Sequence, residues 1–94
     1  MTDELRLQAG EILRYYGEAH QQEKSIEEMA ELISAIKHGD RPNYVEELAD
    51  CSVMLEQLYQ ALSFEEKQVF IVTIHEKISR QLERIKHEIR ACKD

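Results

Sequence analysis

The sequence has few of the residues that interrupt or cross-link a chain: three glycines, one proline, two cysteines and no tryptophan among 94 residues. Glycine and proline mark turns, so their scarcity argues against a β-sandwich built from many short strands and favours helices. Hydrophobic residues make up 43% of the chain, which argues against a disordered segment. The length allows one small domain. We therefore expect a single all-α domain over residues 1–94.

Cysteine pairs and long apolar runs are also missing, and we expect no signal peptide. Cys51 and Cys92 lie far apart and form no C-x-x-C unit, so neither a zinc site nor a disulfide framework is indicated. No apolar run is long enough to span a bilayer, and the N-terminus lacks the basic-then-apolar pattern of a signal peptide. We expect a reduced, cytoplasmic protein that does not associate with membranes.

Basic residues are in the minority, with 12 Lys and Arg against 19 Asp and Glu and a formal net charge of −7. A surface that binds a nucleic-acid polymer needs a basic patch to neutralise phosphates, so this class of protein is disfavoured. A small phosphorylated substrate remains compatible with the charge, because a bound metal ion reverses it locally.

Four segments carry apolar residues at helical spacing. The predicted helices are 3–17, 21–38, 43–62 and 63–92, with 18–22 as a polar connection. Thr2 and Asn43 are the expected N-caps of the first and third helices. Gly39 should end the second helix, and Ser63 with Glu66 forms a capping box at the start of the fourth.

The fourth predicted helix has an apolar stripe with steps of three and four residues. Its members are Ile71, Ile74, Ile78, Leu82, Ile85 and Ile89. Such a stripe is typical of the seam of a coiled coil or bundle. A helix of some 30 residues is about 45 Å long, and the other helices are too short to cover it. We expect segment 63–92 to pack against another subunit, so that homo-oligomerisation completes an antiparallel helical bundle.

Two pairs of acidic residues repeat the same spacing of three, Glu28 with Glu31 and Glu47 with Asp50. On an α-helix this spacing puts both members on one face. Two such pairs on neighbouring antiparallel helices would bring four carboxylates together, where they repel one another unless a hard cation lies among the oxygen atoms. Mg²⁺ is the favoured ion.

A solvated acidic face is the alternative for Glu28 and Glu31. They project away from the apolar stripe of their helix, and Lys24 one turn earlier would form an ordinary surface ion pair. Glu47 is different, because it falls at the edge of the apolar stripe of the third helix. That stripe is Tyr44, Leu48, Cys51, Leu55, Leu58 and Leu62. A carboxylate at the margin of a core is costly unless its charge is compensated, so the two pairs together favour a metal site.

Histidine is absent from the positions that a di-iron site needs. No Glu is followed three residues later by His, so the Glu-x-x-His signature of di-iron carboxylate bundles is missing. Ligation by oxygen alone points to Mg²⁺, with Mn²⁺ as the alternative. The chemistry suited to such a site is phosphoryl transfer to water.

The run HQQEKSIEEMAELISAIKHGDRPNYVEELADCSVMLEQL, from His20 through Leu58, contains Glu27-Glu28-x-x-Glu31 and, after a gap of fifteen residues, Glu47-x-x-Asp50. This run resembles the MazG-like all-α nucleoside triphosphate pyrophosphohydrolases. The resemblance implies a Mg²⁺-dependent enzyme that cleaves a nucleoside triphosphate into a monophosphate and pyrophosphate, as in house-cleaning of the nucleotide pool. It also implies a homodimer or homotetramer.

The resemblance assigns roles to individual residues. The implied metal ligands are Glu28, Glu31, Glu47 and Asp50. Glu27 becomes a candidate base for the attacking water, with an ordinary surface Glu as the alternative. Longer relatives carry an Asn-x-Lys-Phe stretch followed by Arg, where this chain has His75 in place of Asn, then Lys77 and Arg80. Lys77, Arg80 and Lys24 are therefore candidate phosphate contacts, or else solvated cations.

Two functions remain open on these residues. The first is hydrolysis of a nucleoside triphosphate. The second is a non-catalytic acidic helical module that oligomerises or binds a nucleotide without cleaving it.

Overall fold

The computed structural model describes residues 1–93, which form four α-helices and no strand. The helices are α1 (Asp3–Tyr16), α2 (Glu18–His38), α3 (Arg41–Gln60) and α4 (Phe64–Lys93). The predicted all-α class and the predicted number of helices are confirmed. The chain divides into two compact units, the first covering Met1–Ala61 and the second beginning at Leu62.

Three of the predicted helix boundaries are confirmed by their capping contacts. The backbone N–H of Leu5 donates to Thr2 Oγ1 at 3.2 Å. At the start of α4, the N–H of Ser63 donates to Glu66 Oε1 at 2.8 Å and the N–H of Glu66 donates back to Ser63 Oγ at 3.1 Å, a reciprocal capping box. Gly39 ends α2 in the left-handed region, with φ of 69°.

The predicted polar connection over residues 18–22 is wrong, because α2 already begins at Glu18. A single residue, Gly17, separates the first two helices. Its φ of 87° and ψ of 159° lie in a region open essentially to glycine alone. This conformation redirects the chain within one residue, so the polar residues that follow are free to join α2.

The predicted N-cap of α3 is also wrong. Asp40 takes that position, and its Oδ1 accepts the backbone N–H of Asn43 at 3.4 Å. Pro42 lies in the first turn, where a helix has no partner for an N–H in any case, so the proline starts the helix instead of delaying it. At its other end α3 stops at Gln60, two residues before the predicted boundary at 62.

The first unit is built mainly on the contact of α2 with α3. Gln21 Nε2 donates to Gln57 Oε1 at 2.8 Å, and Cys51 Sγ donates to the backbone oxygen of Glu28 at 3.3 Å. Early residues of α2 thus meet late residues of α3, which is the register of an antiparallel pair. The buried residues on these helices, all but Met54 small or polar, are Gln21, Ser25, Glu28, Ala35, Cys51, Met54 and Gln57.

The apolar stripe of α2 is not the face that packs against α3. Ile26, Ile33 and Ile36 are 68%, 54% and 58% exposed. Glu28, on the other face, is 9% exposed, so the alternative of a solvated acidic face does not hold for this residue. Leu48 and Leu55 of the predicted α3 stripe are likewise exposed. Periodicity identified the apolar faces, but not which faces meet within one chain.

Helix α1 is tied to α3 by polar contacts. Arg6 Nε lies 3.5 Å from Glu56 Oε1, and Gln60 Nε2 donates to the backbone oxygen of Arg6 at 2.8 Å. Gly10 leaves room for the Gln60 amide, because a Cβ at this position would lie 2.6 Å from Gln60 Oε1. Together these contacts hold α1 beside the α2–α3 pair.

Helix α4 forms the second unit, and its predicted apolar stripe is exposed along its length. The exposures of Ile71, Ile74, Ile78, Leu82, Ile85 and Ile89 lie between 42% and 54%. Within residues 1–93, no helix combines the length and apolar character that crossing a membrane requires.

Candidate metal centre and adjoining cleft

Three of the four predicted ligands lie together. Glu28 of α2 and Glu47 and Asp50 of α3 each offer a carboxylate oxygen, and these oxygens lie within 4.8 Å of one another. The spacing of three residues puts Glu47 and Asp50 on one face of α3, and the antiparallel contact brings Glu28 opposite them. The group therefore spans the α2–α3 junction.

Two oxygens of this group lack a partner. Glu28 Oε2 and Glu47 Oε2 are buried and accept no hydrogen bond within residues 1–93. The side chain of Glu28 is 12% exposed. Leaving a buried polar group unsatisfied costs about 1–3 kcal/mol, and more when it is charged. The donor set consists of oxygens alone and has unmet demand for positive charge, so these residues fit Mg²⁺ or Mn²⁺.

Glu31 lies outside this group of three but interacts with it. The pKa of Glu47 is raised, first by burial, next by a hydrogen bond shared with Glu31, and then by the negative charges of Glu31, Asp50 and Glu28. Glu31 is itself exposed. The structure thus relates all four predicted ligands electrostatically, with Glu31 at the exposed edge.

Lys24 is the basic side chain that reaches these carboxylates from within α2. Its Nζ lies 3.3 Å from Glu28 Oε1 and 3.7 Å from Glu27 Oε2. The hydrogen bond to Glu28 raises the pKa of Lys24, followed by the charges of Glu28 and Glu27. The side chain of Glu27 is 69% exposed, so this carboxylate lies at the rim of the group.

A cleft of about 660 Å³ adjoins the carboxylates, within the size range of small-molecule sites. Its polar side is formed by Lys24, Glu27, Glu28 and Asp50. Elsewhere it is lined by Tyr16 and His20, whose rings stack with centroids 4.6 Å apart and planes at 12°. The buried amides of Gln21 and Gln57 also line it.

Of the four tyrosines of the chain, the structure places Tyr16 in this cleft. His20 and Gln21 were missed, because residues 18–22 were predicted as a connection and not as the first turns of α2. Gln57 was missed because a glutamine within the predicted third helix gives no signal of burial. The i,i+4 spacing of Tyr16 and His20 would have been a signal only if Gly17 had been recognised as a single-residue joint.

Lys77 and Arg80 lie in α4, which belongs to the second compact unit. Both residues are exposed. Their contact with phosphate stays a prediction from the resemblance.

Cys51 packs in the α2–α3 contact, as its place on the apolar stripe predicted, with 3% exposure. Burial raises the pKa of its thiol, and the charges of Glu28 and Glu47 raise it further. A thiol in such surroundings stays protonated and is a poor nucleophile. We therefore assign Cys51 to packing and not to the chemistry of the site.

The raised pKa of Glu47 predicts a pH-dependent stability. The folded protein holds the Glu47 proton more tightly than the unfolded chain, so this group's contribution to the free energy of unfolding falls as pH rises from the ordinary Glu pKa through the raised one. Above that window the contribution stays at its lower level. A Glu47→Gln variant should therefore gain stability relative to the original chain as pH rises, measured by chemical denaturation at a series of pH values.

Near neutral pH, Mg²⁺ should offset the loss in free energy of unfolding that accompanies ionisation of Glu47. A ligand at a hundred times its Kd stabilises the folded state by about 2.7 kcal/mol, and Glu47→Gln should lose most of that gain. Glu46→Gln is the matched control, because Glu46 is an exposed neighbour on α3. If the free energy of unfolding depends on pH in the same way for Glu47→Gln and Glu46→Gln, the assignment of Glu47 to the site is wrong.

Comparison with known proteins agrees with this geometry. Residues 19–88 match the family model of the MazG nucleotide pyrophosphohydrolase domain. The matched residues include the whole carboxylate group and the cations Lys24, Lys77 and Arg80. No curated protein and no solved structure gives a significant match. The match covers well over half of the chain and confirms the resemblance seen in the acidic motifs, so this protein belongs to the MazG nucleotide pyrophosphohydrolase domain family.

Proposed function

We propose that this protein is a Mg²⁺-dependent nucleoside triphosphate pyrophosphohydrolase, which cleaves the bond between the α and β phosphates. The observation that carries the proposal is a three-carboxylate group bordering a cleft, in which one buried oxygen of Glu28 and one of Glu47 have no hydrogen-bond partner in the part of the chain that the structure describes. Membership of the family suggests nucleotide pyrophosphohydrolase activity. The products would be a nucleoside monophosphate and pyrophosphate, as suits house-cleaning of the cytoplasmic nucleotide pool.

Four carboxylates would hold the cation: Glu28, Glu31, Glu47 and Asp50. When bound, a divalent cation neutralises charge on phosphate oxygens and makes a coordinated water more acidic. Mg²⁺ generally keeps several waters and binds through a few carboxylates plus substrate phosphates, which agrees with a group of carboxylates beside an open cleft. Mn²⁺ is the alternative ion for the same oxygen donors.

Glu27 is the proposed base. It lines the cleft and keeps most of its carboxylate exposed, so it can accept the proton of a water molecule there. The water oxygen bonds to one of the two phosphorus atoms of the α–β bridge, the bond from that phosphorus to the bridging oxygen breaks, and the monophosphate and pyrophosphate separate. Lys24, Lys77 and Arg80 are proposed to stabilise negative charge on the phosphates during this step.

The side of the cleft away from the carboxylates has the chemistry that a nucleoside would contact. Tyr16 and His20 present stacked rings, and the amide of Gln21 is bonded to His20 and Gln57 behind them. Stacking of a base on an aromatic side chain contributes about 1–3 kcal/mol. We propose that the nucleoside lies here, with its triphosphate toward Lys24 and the carboxylates.

A non-catalytic module, either an acidic oligomerisation domain or a nucleotide binder, is the second candidate function. The exposed stripe of α4 is the observation that favours oligomerisation. A degenerate binder would have less need of four intact carboxylates around a site with unmet charge. We therefore favour the enzyme.

Hydrolysis should depend on the carboxylates of α3. Replacing Glu47 by Gln, or Asp50 by Asn, should lower pyrophosphate release by more than about 100-fold, since a lost ligand should cost at least as much as a lost supporting contact. Neither change removes a side chain that packs apolar surface, so helical content measured by circular dichroism should be unchanged.

Glu46→Gln is the matched control for this experiment and should keep full activity, because Glu46 is exposed on the same helix. If Glu47→Gln and Asp50→Asn turn over at the rate of the control, the assignment of the site is wrong.

We further propose that the exposed apolar stripes pack against a second copy, giving a homodimer or homotetramer. Burying one Ile or Leu side chain contributes about 1.5–3 kcal/mol. Burying the six side chains of the α4 stripe would therefore give a large gain in free energy on association. Replacing Ile78 and Leu82 together by Asp should shift the sedimentation of the intact chain to that of a monomer. Glu83→Gln, outside the stripe, should leave it unchanged. A monomeric original chain would contradict this assembly.

A further inference from the structure

The side chain of Lys24 supplies positive charge beside Glu28. Its ammonium lies 3.3 Å from Glu28 Oε1 and 3.7 Å from Glu27 Oε2. Lys24 stands one helical turn before Glu28, so α2 carries both the charge and its counter-charge. The ammonium thus satisfies one oxygen of Glu28, and the buried Oε2 has no hydrogen-bond partner among residues 1–93.

We propose that Lys24 is a tethered counter-ion, which a divalent cation displaces from Glu28 and which then pairs with the phosphates of the substrate. This inference rests on the proposed function, since it requires that the carboxylates bind a metal ion and the cleft a nucleotide. It adds an exchange of partners by one residue, which links binding of the ion to capture of the triphosphate.

Displacement follows from the charges around Glu28. An ion held by Glu28, Glu47 and Asp50 would lie among oxygens that are within 4.8 Å of one another, next to the ammonium of Lys24. Two cations at such close range repel each other. The divalent ion is bound by several carboxylates at once, whereas Lys24 has one largely buried carboxylate and one exposed one, so the lysine is the cation that leaves.

Capture follows from where the released ammonium remains. Lys24 lines the cleft together with Glu27 and Asp50, and its side chain is 48% exposed. A lysine has a flexible four-carbon stem and three donors, so it can turn from a carboxylate to a phosphate while its backbone stays in place. Without a divalent cation, the Lys24 ammonium would stay paired with Glu28. A nucleotide that arrives without the cation would therefore not gain the contact with Lys24.

Chemical reactivity of the Lys24 amine tests the exchange in the unaltered protein. An ammonium held between two carboxylates should react slowly with an acylating reagent. Saturating Mn²⁺ should raise the rate of Lys24 acylation several-fold, as read by mass spectrometry. Adding a nucleoside triphosphate with a methylene bridge between its α and β phosphorus atoms should lower the rate again. Lys37, exposed on the same helix, is the internal control.

The outcomes separate this inference from the proposed function. If calorimetry on the same sample shows that Mn²⁺ binds, but the acylation of Lys24 relative to Lys37 does not rise, the counter-ion exchange is wrong and the metal site stands. If the rate rises with Mn²⁺ but does not fall with the nucleotide, pairing with phosphate is wrong. If neither Mn²⁺ nor Mg²⁺ binds, the proposed function fails together with the inference.

A Lys24→Met variant provides a second test, in which the affinities for Mn²⁺ and for the nucleotide should change in opposite directions. Without the competing ammonium, Mn²⁺ should bind several-fold tighter, whereas the methylene-bridged nucleotide with Mn²⁺ should bind several-fold weaker. Lys37→Met is the matched control and should change neither affinity. Weaker Mn²⁺ binding by Lys24→Met than by Lys37→Met would overturn the role of counter-ion.

Discussion

The contact between α2 and α3 brings the carboxylates of Glu28, Glu47 and Asp50 close together, and some of their oxygens are shielded from water. Burial and the neighbouring charges raise the pKa of Glu47, and the buried Oε2 atoms of Glu28 and Glu47 have no hydrogen-bond partner within residues 1–93. Such an arrangement costs stability unless a cation compensates it. Lys24 reaches one oxygen of Glu28 and does so from the outside. The remaining unmet charge is the constraint on which our account of the site depends.

The interior of the first unit is polar around this group as well. Amides and small side chains fill the α2–α3 contact, where Gln21 donates to Gln57 and Cys51 donates to the backbone of Glu28. The large apolar side chains of α2 instead point outward, with Ile26 68% exposed. An interior of this kind positions polar groups well but buries little apolar area, so we expect much of the hydrophobic stabilisation to come from contacts between copies. The polar interior and the exposed stripes are thus related, because the large apolar side chains that are absent from the α2–α3 contact lie on the outer faces.

The sequence predicted what depends on local chemistry. The caps at Thr2 and Ser63 follow from side chains that reach a backbone N–H three residues on, and the spacing of Glu47 and Asp50 puts them on one face whatever surrounds the helix. Three features depend on more than local pattern. The conformation of Gly17 brings Tyr16 and His20 into one stack, and Asp40 takes the place of Asn43 as the cap of α3. The face of α2 that packs against α3 is not its apolar stripe. Periodicity contains no information about that last point.

The products formed from a nucleoside triphosphate test the central claim most directly. The protein is incubated with Mg²⁺ and, in separate reactions, with a panel of ribo-, deoxy- and modified nucleoside triphosphates, and phosphorus NMR identifies what is released. Our account predicts monophosphate and pyrophosphate in equal amounts from at least one of these substrates, and no reaction once a chelator has removed the metal. Release of orthophosphate and a diphosphate, turnover that survives the chelator, or no turnover of any substrate would contradict it.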